Sequence, residues 1–525
     1  MKLLEVYKNQ VLGTIKGLDR IRFRGTLRWL SSPRGINTFV SRSGILLKEF
    51  RRWAEEKTDQ LRSSCEQQAQ ALGIPMRYLN SSGVNKEKLA RQIEEEQGVA
   101  KDGSICMLSV VEPCVAPTVS GNKQTKHLEL TYRRRQCIHF YHYFDHPQVG
   151  FGHVRLQSWL PFSVTLCLNG RHWLEKQLGS EGIGYVKDHN CFVWMEDLER
   201  AQKLMDEQLK TNWPVMLDRL LLNTCTQLPK VLSPLEFDYY WSADETEWAT
   251  DIMFSSASSL RAFYPRLLRH AMLVSDSPSV MRYLGRGKPQ VSEKIRARMP
   301  ENIVTDCRRR HEGTRVKHWI NNNSIKVYNK TDTLLRIETT INSTREFKVY
   351  RSPKDDPRQE PSWQYCRKGV SDLHRRCQIS NQANERYALA LGMTLVEDRL
   401  KDVLGPACRR VKKKGRCYRA LNPWSPQDFQ LLTFFGKGEL AINGFRNKDL
   451  RRFLYGEAGG DADPLELRRR TGRVSRLLGL LRAHGLVRKV PNLNRYVRTE
   501  KGCCIATALL CASNVDIKTL TELAA

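Results

Sequence analysis

The sequence predicts an α+β, multidomain protein: a central antiparallel sheet with helices, followed by a separate, mostly helical C-terminal domain. Three observations carry this. Period-two alternation of apolar and polar residues dominates residues 128–195 and 315–351. Helical periodicity dominates Lys48–Leu72 and Ala201–Leu222, and from Ala420 onward short amphipathic segments follow one another with glycines between them. We divide the 525 residues into a mostly helical basic N-terminal region (1–120), a central α+β domain (121–350), a helical basic connector (351–419) and a C-terminal domain (420–525).

Composition narrows the function. Lys and Arg number 86 against 56 Asp and Glu, and the formal charge of +30 makes a polyanion the default partner, through phosphate neutralisation and counterion release. An apolar content of 40% argues against wholesale disorder. No apolar run reaches the length of a spanning helix and no signal peptide opens the chain, so nucleic acid is preferred to membrane and a cytoplasmic, nucleoid-associated location is expected. The 15 cysteines are scattered without a C-x-x-C pair, which is cytosolic usage without structural zinc.

In chain order, Arg20-Ile-Arg22-Phe-Arg24 alternates basic with apolar residues. Arg22 and Arg24 there either contact phosphate or form an ordinary amphipathic edge. Lys48–Leu72 and Asn85–Gln97 read as helices, the second capped by Asn85. Ser104–Val115 reads as a buried strand ended by Pro113 and Pro117, and residues 120–127 as a loop. Strands follow at Cys137–Phe144, Gly152–Trp159 and Phe162–Asn169, then a helix from Gly170. A ferredoxin-like or palm-like sheet fits this order. His139 and His142 fall on opposite faces of one strand, so with His153 they read as packing or base-stacking groups rather than as metal ligands.

Five carboxylates then fall within fourteen residues: Asp238, Asp244, Glu245, Glu247 and Asp251. On a helix starting near Ser242, Glu247 and Asp251 lie one turn apart with Asp244 close by, a place for Mg²⁺ ligands or simply an acidic helix N-terminus. Short basic helices at Ser259–His270 and Val280–Arg286 and a charged connector over 288–314 lead to a predicted hairpin. Its strands are Ser324–Lys330 and Leu334–Ile341. Glu338 beside Arg336, across from Lys326 and Tyr328, suits a divalent metal beside a phosphate, or equally charges paired across a half-solvated hairpin.

Lys326-Val-Tyr328-Asn-Lys330 followed by Leu335-Arg336-Ile337-Glu338 resembles the Y-D-K … R-x-E pattern of rolling-circle replication initiators of plasmids and phages, with Asn329 in place of the Asp. The resemblance implies Glu338 as a metal ligand and Tyr328 as a nucleophile by proximity.

After a charged, proline-containing loop (352–362), a helix over Gly369–Leu391 and a basic run at Cys408–Arg419, the last domain shows helices at Ser425–Phe435, Asn447–Tyr455, Pro464–Arg470 and Arg473–His484. Leu486–Arg498 then reads as a basic hairpin, with a final helix after it. Arg473, Ser475, Arg476 and Arg482 with Arg488, Lys489, Arg495 and Arg498 look like the recognition helix and wing of a winged helix-turn-helix of the kind found in MarR-like regulators. The chain also resembles an uncharacterised bacterial family with that tail.

The expectation is therefore a bacterial, mobile-element-associated nucleic-acid-binding protein. In the enzyme reading it nicks, joins or initiates replication of DNA, with Glu338 and members of Asp244, Glu247 and Asp251 holding Mg²⁺ while Lys326 and Arg336 stabilise developing charge. In the other it is a non-catalytic winged-helix DNA-binding regulator or a structured-RNA-binding protein. DNA is favoured over RNA, and a second copy of the chain is a further candidate partner.

Overall fold

Ile15, Gly17, Ile21 and Phe23 alternate with outward-facing residues to make a first strand, β1 (Val11–Leu27), whose inner side is buried. The computed structural model describes residues 7–124, 126–233, 238–273, 280, 284, 303–310, 313–345, 347–352, 358–360, 362–392, 400–413, 415–434, 445–456, 463–490 and 494–513. After β1 come α1 (Pro33–Arg42), α2 (Phe50–Leu72), β2 (Met76–Leu79), α3 (Lys86–Gln97), β3 (Ser104–Gly121), β4 (Leu128–His146), β5 (Gly150–Gln157) and β6 (Val164–Asn169). Then follow α4 (Gly170–Glu181), β7 (Tyr185–Asp188), β8 (Cys191–Met195), α5 (Leu198–Glu207), α6 (Trp213–Thr224), α7 (Leu228–Leu232), β9 (Tyr239–Phe254) and α8 (Ala257–Leu273). Next are β10 (Ile303–Arg310), β11 (Gly313–Ile320), β12 (Asn323–Lys330), β13 (Leu334–Ile341), β14 (Lys348–Arg351), β15 (Ser362–Tyr365), α9 (Leu373–Gly392) and α10 (Leu400–Leu404). The chain closes with β16 (Val411–Lys413), β17 (Arg416–Tyr418), α11 (Pro426–Phe434), α12 (Asn447–Tyr455), α13 (Pro464–Ala483), β18 (Val487–Lys489), β19 (Tyr496–Arg498) and α14 (Glu500–Ser513). The class is mixed α and β with a large sheet, as expected.

Two compact units share this chain, and each is discontinuous. The larger takes Leu12–Phe254 and Thr333–Asn381, the other Met1–Val11, Ser255–Asp332 and Gln382–Ala525. In the larger unit the strands lie in the order β13-β9-β1-β6-β5-β4-β3-β2. The β13–β9, β1–β6, β6–β5, β5–β4 and β4–β3 pairs are antiparallel, while β2 runs parallel to β3, so the sheet is mixed rather than purely antiparallel. Its main core gathers Ile15, Ile21 and Phe23 of β1 with Leu166, Leu174, Leu204, Leu217 and Trp241. A smaller one joins Ala90 and Ile93 of α3 to Leu108, Tyr141 and Tyr143.

Strand β3 does not stop at its prolines. It continues through Pro113 and Pro117, opposite Gln136 and Tyr132, to Gly121. Its other neighbour, β2, pairs only as far as Val110, so beyond that point β3 is an edge and a missing N–H costs no ladder bond. The acidic stretch before Asp251 also departs from expectation: it is the strand β9, not a helix. Tyr239, Trp241 and Ala243 are buried on alternate positions and the strand is almost wholly buried beyond Trp248, a tertiary demand that overrides the helical spacing of the carboxylates. The expected helix over 201–222 is two, α5 and α6, with Pro214 in the first turn of the second.

In the other unit β10, β11 and β12 pair antiparallel in turn, so Arg308–Arg310 belong to a strand rather than to a connector. Thr331 and Asp332 both have positive φ, 58° and 60°, as the short polar link after β12 requires. Leu404, Leu431, Leu450, Val474, Leu478, Leu481 and Ile505 form a separate core. Phe445 bridges Tyr496, and β18 pairs with β19. One twenty-residue helix, α13, replaces the two expected on either side of Gly472, so Arg473, Ser475 and Arg476 lie mid-helix rather than at a helix start. Asn447 reaches both the Thr471 carbonyl and Ser475 Oγ, fixing this part of the helix on α12. Most of Val280–Arg286, all of residues 288–302 of the 288–314 connector, much of the 352–362 loop, and residues 457–462 lie outside the described residues. Among the described residues no helix is long and apolar enough to cross a membrane.

A candidate metal centre at the foot of an arginine row

Register brings the carboxylates of β9 and β13 together. Arg336 lies directly opposite Asp251, Glu338 opposite Ala249, and Thr340 opposite Glu247, so Glu338 sits diagonally between Glu247 and Asp251. Asp19 comes in from β1.

Asp19, Glu247 and Glu338 each offer an oxygen to a group whose ligand atoms lie within 4.8 Å of one another. Asp19 and Glu338 are buried, and the Glu247 side chain is 14% exposed at the rim. A set of carboxylate oxygens is the hard donor set that suits Mg²⁺, Mn²⁺ or Ca²⁺. The arrangement can therefore hold a metal ion, and its surroundings fix the ligands. Asn169 Nδ2 donates to Asp19 at 3.1 Å, and Asn190 Nδ2 reaches both oxygens at 3.0 and 3.1 Å. Asn169 is also the cap of α4, accepting from the Arg171 N–H, so the helix start and the aspartate share one anchor.

Next to the group lies a buried ion network. Arg336 holds Asp251 through Nε at 2.6 Å and Nη2 at 2.8 Å, reaches Asp19 through Nη1 at 2.8 Å, and donates to the Asn190 carbonyl. Arg171 pairs with Asp251 at 3.0 Å and donates to the Ala249 carbonyl at 3.3 Å. Burial pulls the Arg171 pKa down, against the raising effect of Asp251. Asp251 is thus a counter-ion to two guanidiniums, which takes it out of the expected metal set.

Along β1 the exposed side carries Arg20, Arg22 and Arg24, with side chains 55%, 45% and 51% exposed. They face acids of β9 in sequence: Arg20 meets Glu245 at 2.8 Å and Glu247 at 3.4 Å, Arg22 meets Glu245 at 3.5 Å, and Arg24 meets Asp244 at 3.8 Å. Burial works against the charge on Arg20, yet Glu247 and Glu245 outweigh it and hold the guanidinium above its ordinary range. Asp244, which also meets Lys368 at 3.6 Å, belongs to this row and not to the metal group.

Of the residues expected to share a site, the structure brings together Glu247, Glu338 and Arg336. Lys326 and Tyr328 belong to β12 in the other unit, where Tyr328 is buried and the Lys326 ammonium lies 5.3 Å from its ring centre. Arg473, Ser475, Arg476, Arg482, Arg488 and Lys489 are exposed, and Arg495 and Arg498 half-buried. His142 is tied to the Thr224 carbonyl and Ser104 Oγ, a packing role. Asp19, Asn169, Arg171 and Asn190 were not anticipated. Asp19 had a signal: it falls in register with Ile15, Ile21 and Phe23, where the alternation calls for an apolar residue, and an acid in such a place needs a buried partner.

Compared with known proteins, the chain matches no family model, no curated protein and no solved structure.

Proposed function

We propose that the chain binds nucleic acid and that its larger unit cuts or joins phosphodiester bonds at the Asp19–Glu247–Glu338 group with Mg²⁺. The observation that carries this reading is the placement of three convergent carboxylates at the end of a row of exposed arginines, in a chain of charge +30. Asp19 and Glu338 would hold the ion from within and Glu247 from the rim. A bound Mg²⁺ supplies Lewis-acid polarisation of a phosphoryl oxygen. Arg20 at the rim stabilises charge gathering on phosphate, while Arg22 and Arg24 hold the strand by its backbone. Their guanidiniums are about half exposed, so phosphate can reach them beside the β9 acids they already meet. Arg336 positions Asp19 rather than touching phosphate.

The palm-like reading of the sheet, the kinship with rolling-circle initiators and a tyrosine nucleophile belong to the same proposal. For the C-terminal part we propose a winged helix-turn-helix reading duplex DNA. Helices α11, α12 and α13 followed by the β18–β19 hairpin, with Phe445 bridged to Tyr496, support it. Arg476 and Arg482 on α13 and Arg488 and Lys489 on the hairpin would contact DNA.

A second reading, a DNA-binding regulator with purely structural carboxylates, is favoured by one observation: Asp19 is already held by Arg336, Asn169 and Asn190. Cleavage of labelled single-stranded and supercoiled DNA, with and without Mg²⁺, separates the two. Metal-dependent cutting lost in Glu338→Ala supports the enzyme, with a covalent protein–DNA adduct if a tyrosine attacks. Salt-sensitive binding without cutting supports the regulator.

A further inference from the structure

The arginine row does not end at Arg24. Four residues on, the Arg28 guanidinium stacks on the Tyr240 ring, 4.2 Å from its centre, at the mouth of a cleft of about 430 Å³. Segments far apart in sequence build it: Arg28, the link before α6, the start of β9, and Gly369–His374. The floor is aromatic. Trp213, Tyr239 and Trp241 are 6%, 5% and 2% exposed. The polar atoms of two of them are used inward, Tyr239 Oη donating to the Phe162 carbonyl and Trp241 Nε1 to Asp218, so what these nearly buried rings leave to the cleft is apolar. Gly25 makes room for this floor, since a Cβ there would stand 2.9 Å from the Trp241 ring. Tyr240 is different: it is 40% exposed. Asn212, Asp238 and Ser371 also line the cleft and provide donors and acceptors.

We propose that this cleft takes one unstacked nucleobase of a bound single strand. An aromatic floor with an exposed tyrosine and a stacked guanidinium fits a flat heterocycle, and the polar lining groups fit its polar edge. The size fits one base with its sugar. The chemistry of the track between cleft and metal group is that of a phosphate backbone. Tyr240 and Glu247 are on one strand, roughly 23 Å apart along it, and Arg24, Arg22 and Arg20 face that interval in order. A strand held by its base at Tyr240 lies along the arginines with a phosphate at the carboxylates, so the cleft fixes which phosphate reaches them. This inference rests on the nucleic-acid reading above and names its substrate as single-stranded.

The test is binding of a short single-stranded oligonucleotide carrying 2-aminopurine, and of the same backbone made abasic, at low salt by the full-length protein. The cleft predicts that wild type binds the base-containing strand about tenfold more tightly than the abasic one. Tyr240→Ala then brings the base-containing strand to the abasic level without changing the abasic affinity, while Tyr240→Phe keeps the preference. Equal affinity for both strands in wild type, or equal weakening of both by Tyr240→Ala, overturns the base site and leaves backbone binding standing. No binding of either strand while a duplex of the same sequence is bound overturns the cleft alone, and no binding of strand or duplex overturns the nucleic-acid reading with it.

Discussion

Asp251 neutralises Arg336 and Arg171 at once, and all three side chains are fully buried. Asp251→Asn therefore leaves the buried Arg171 without its carboxylate partner and Arg336 with Asp19 alone, and the expected loss of stability is about 3–5 kcal/mol in urea unfolding. A loss below about 1 kcal/mol would mean that the network is not what holds β9, β13 and α4 in place. Titration is legible at the same scale. Burial, with Arg155 nearby, pushes His139 down to about 4, and burial with Lys187 and Arg91 pushes His172 down to about 3. In the unfolded chain both titrate near 6.5. Between those values the unfolded state binds protons that the folded state refuses, so this stability is whole above pH 6.5 and is lost as the pH falls towards 4. Unfolding free energies should drop from pH 7 to pH 5, and His139→Gln should flatten that slope by about 1 kcal/mol per pH unit. An unchanged slope would show that burial does not lower the His139 pKa.

At the scale of elements, α4 is seated by a glycine. A Cβ at Gly170 would stand 2.3 Å from the Leu18 carbonyl oxygen, a backbone atom that cannot swing aside, whereas a Cβ at Gly179 in the same helix meets nothing. Gly170→Ala is expected to cost about 1–3 kcal/mol and to weaken metal binding, since Asn169 is displaced from Asp19. Gly179→Ala is expected to stabilise by about 0.5–1 kcal/mol. Equal melting temperatures for the two variants would refute this account of α4. The strand β6 and the helices α2 and α3 were readable from periodicity, because each buries one side against a single core. Strand β9 was not. Its carboxylates at 244, 245, 247 and 251 mimic helical spacing, and only the partners supplied by β1, β13 and α4 make a strand with buried acids tolerable.

On the scale of the whole molecule, what a linear reading misses is closure. The larger unit is completed by residues 333–381, which return after the chain has built part of the other unit, so Glu338 joins Asp19 across more than three hundred residues. Glu247 and Glu338 were identifiable as acids in a basic chain. Their partner Asp19, the positioning residues Asn169 and Asn190, and the Tyr240 cleft come from separated segments with no local pattern to join them. Asp19, Glu247 and Glu338 could hold one divalent cation together. This is tested most directly by titrating the protein with Mn²⁺ and counting bound ions by electron paramagnetic resonance, in wild type, Glu247→Gln and Glu338→Gln. Glu247 is the most informative of these, because its place at the rim lets it change without disturbing the buried Arg336–Asp251 pair. The expected result is one tightly bound ion in wild type, displaced by excess Mg²⁺ and lost in both folded variants. Identical Mn²⁺ binding by wild type and both variants would contradict the site.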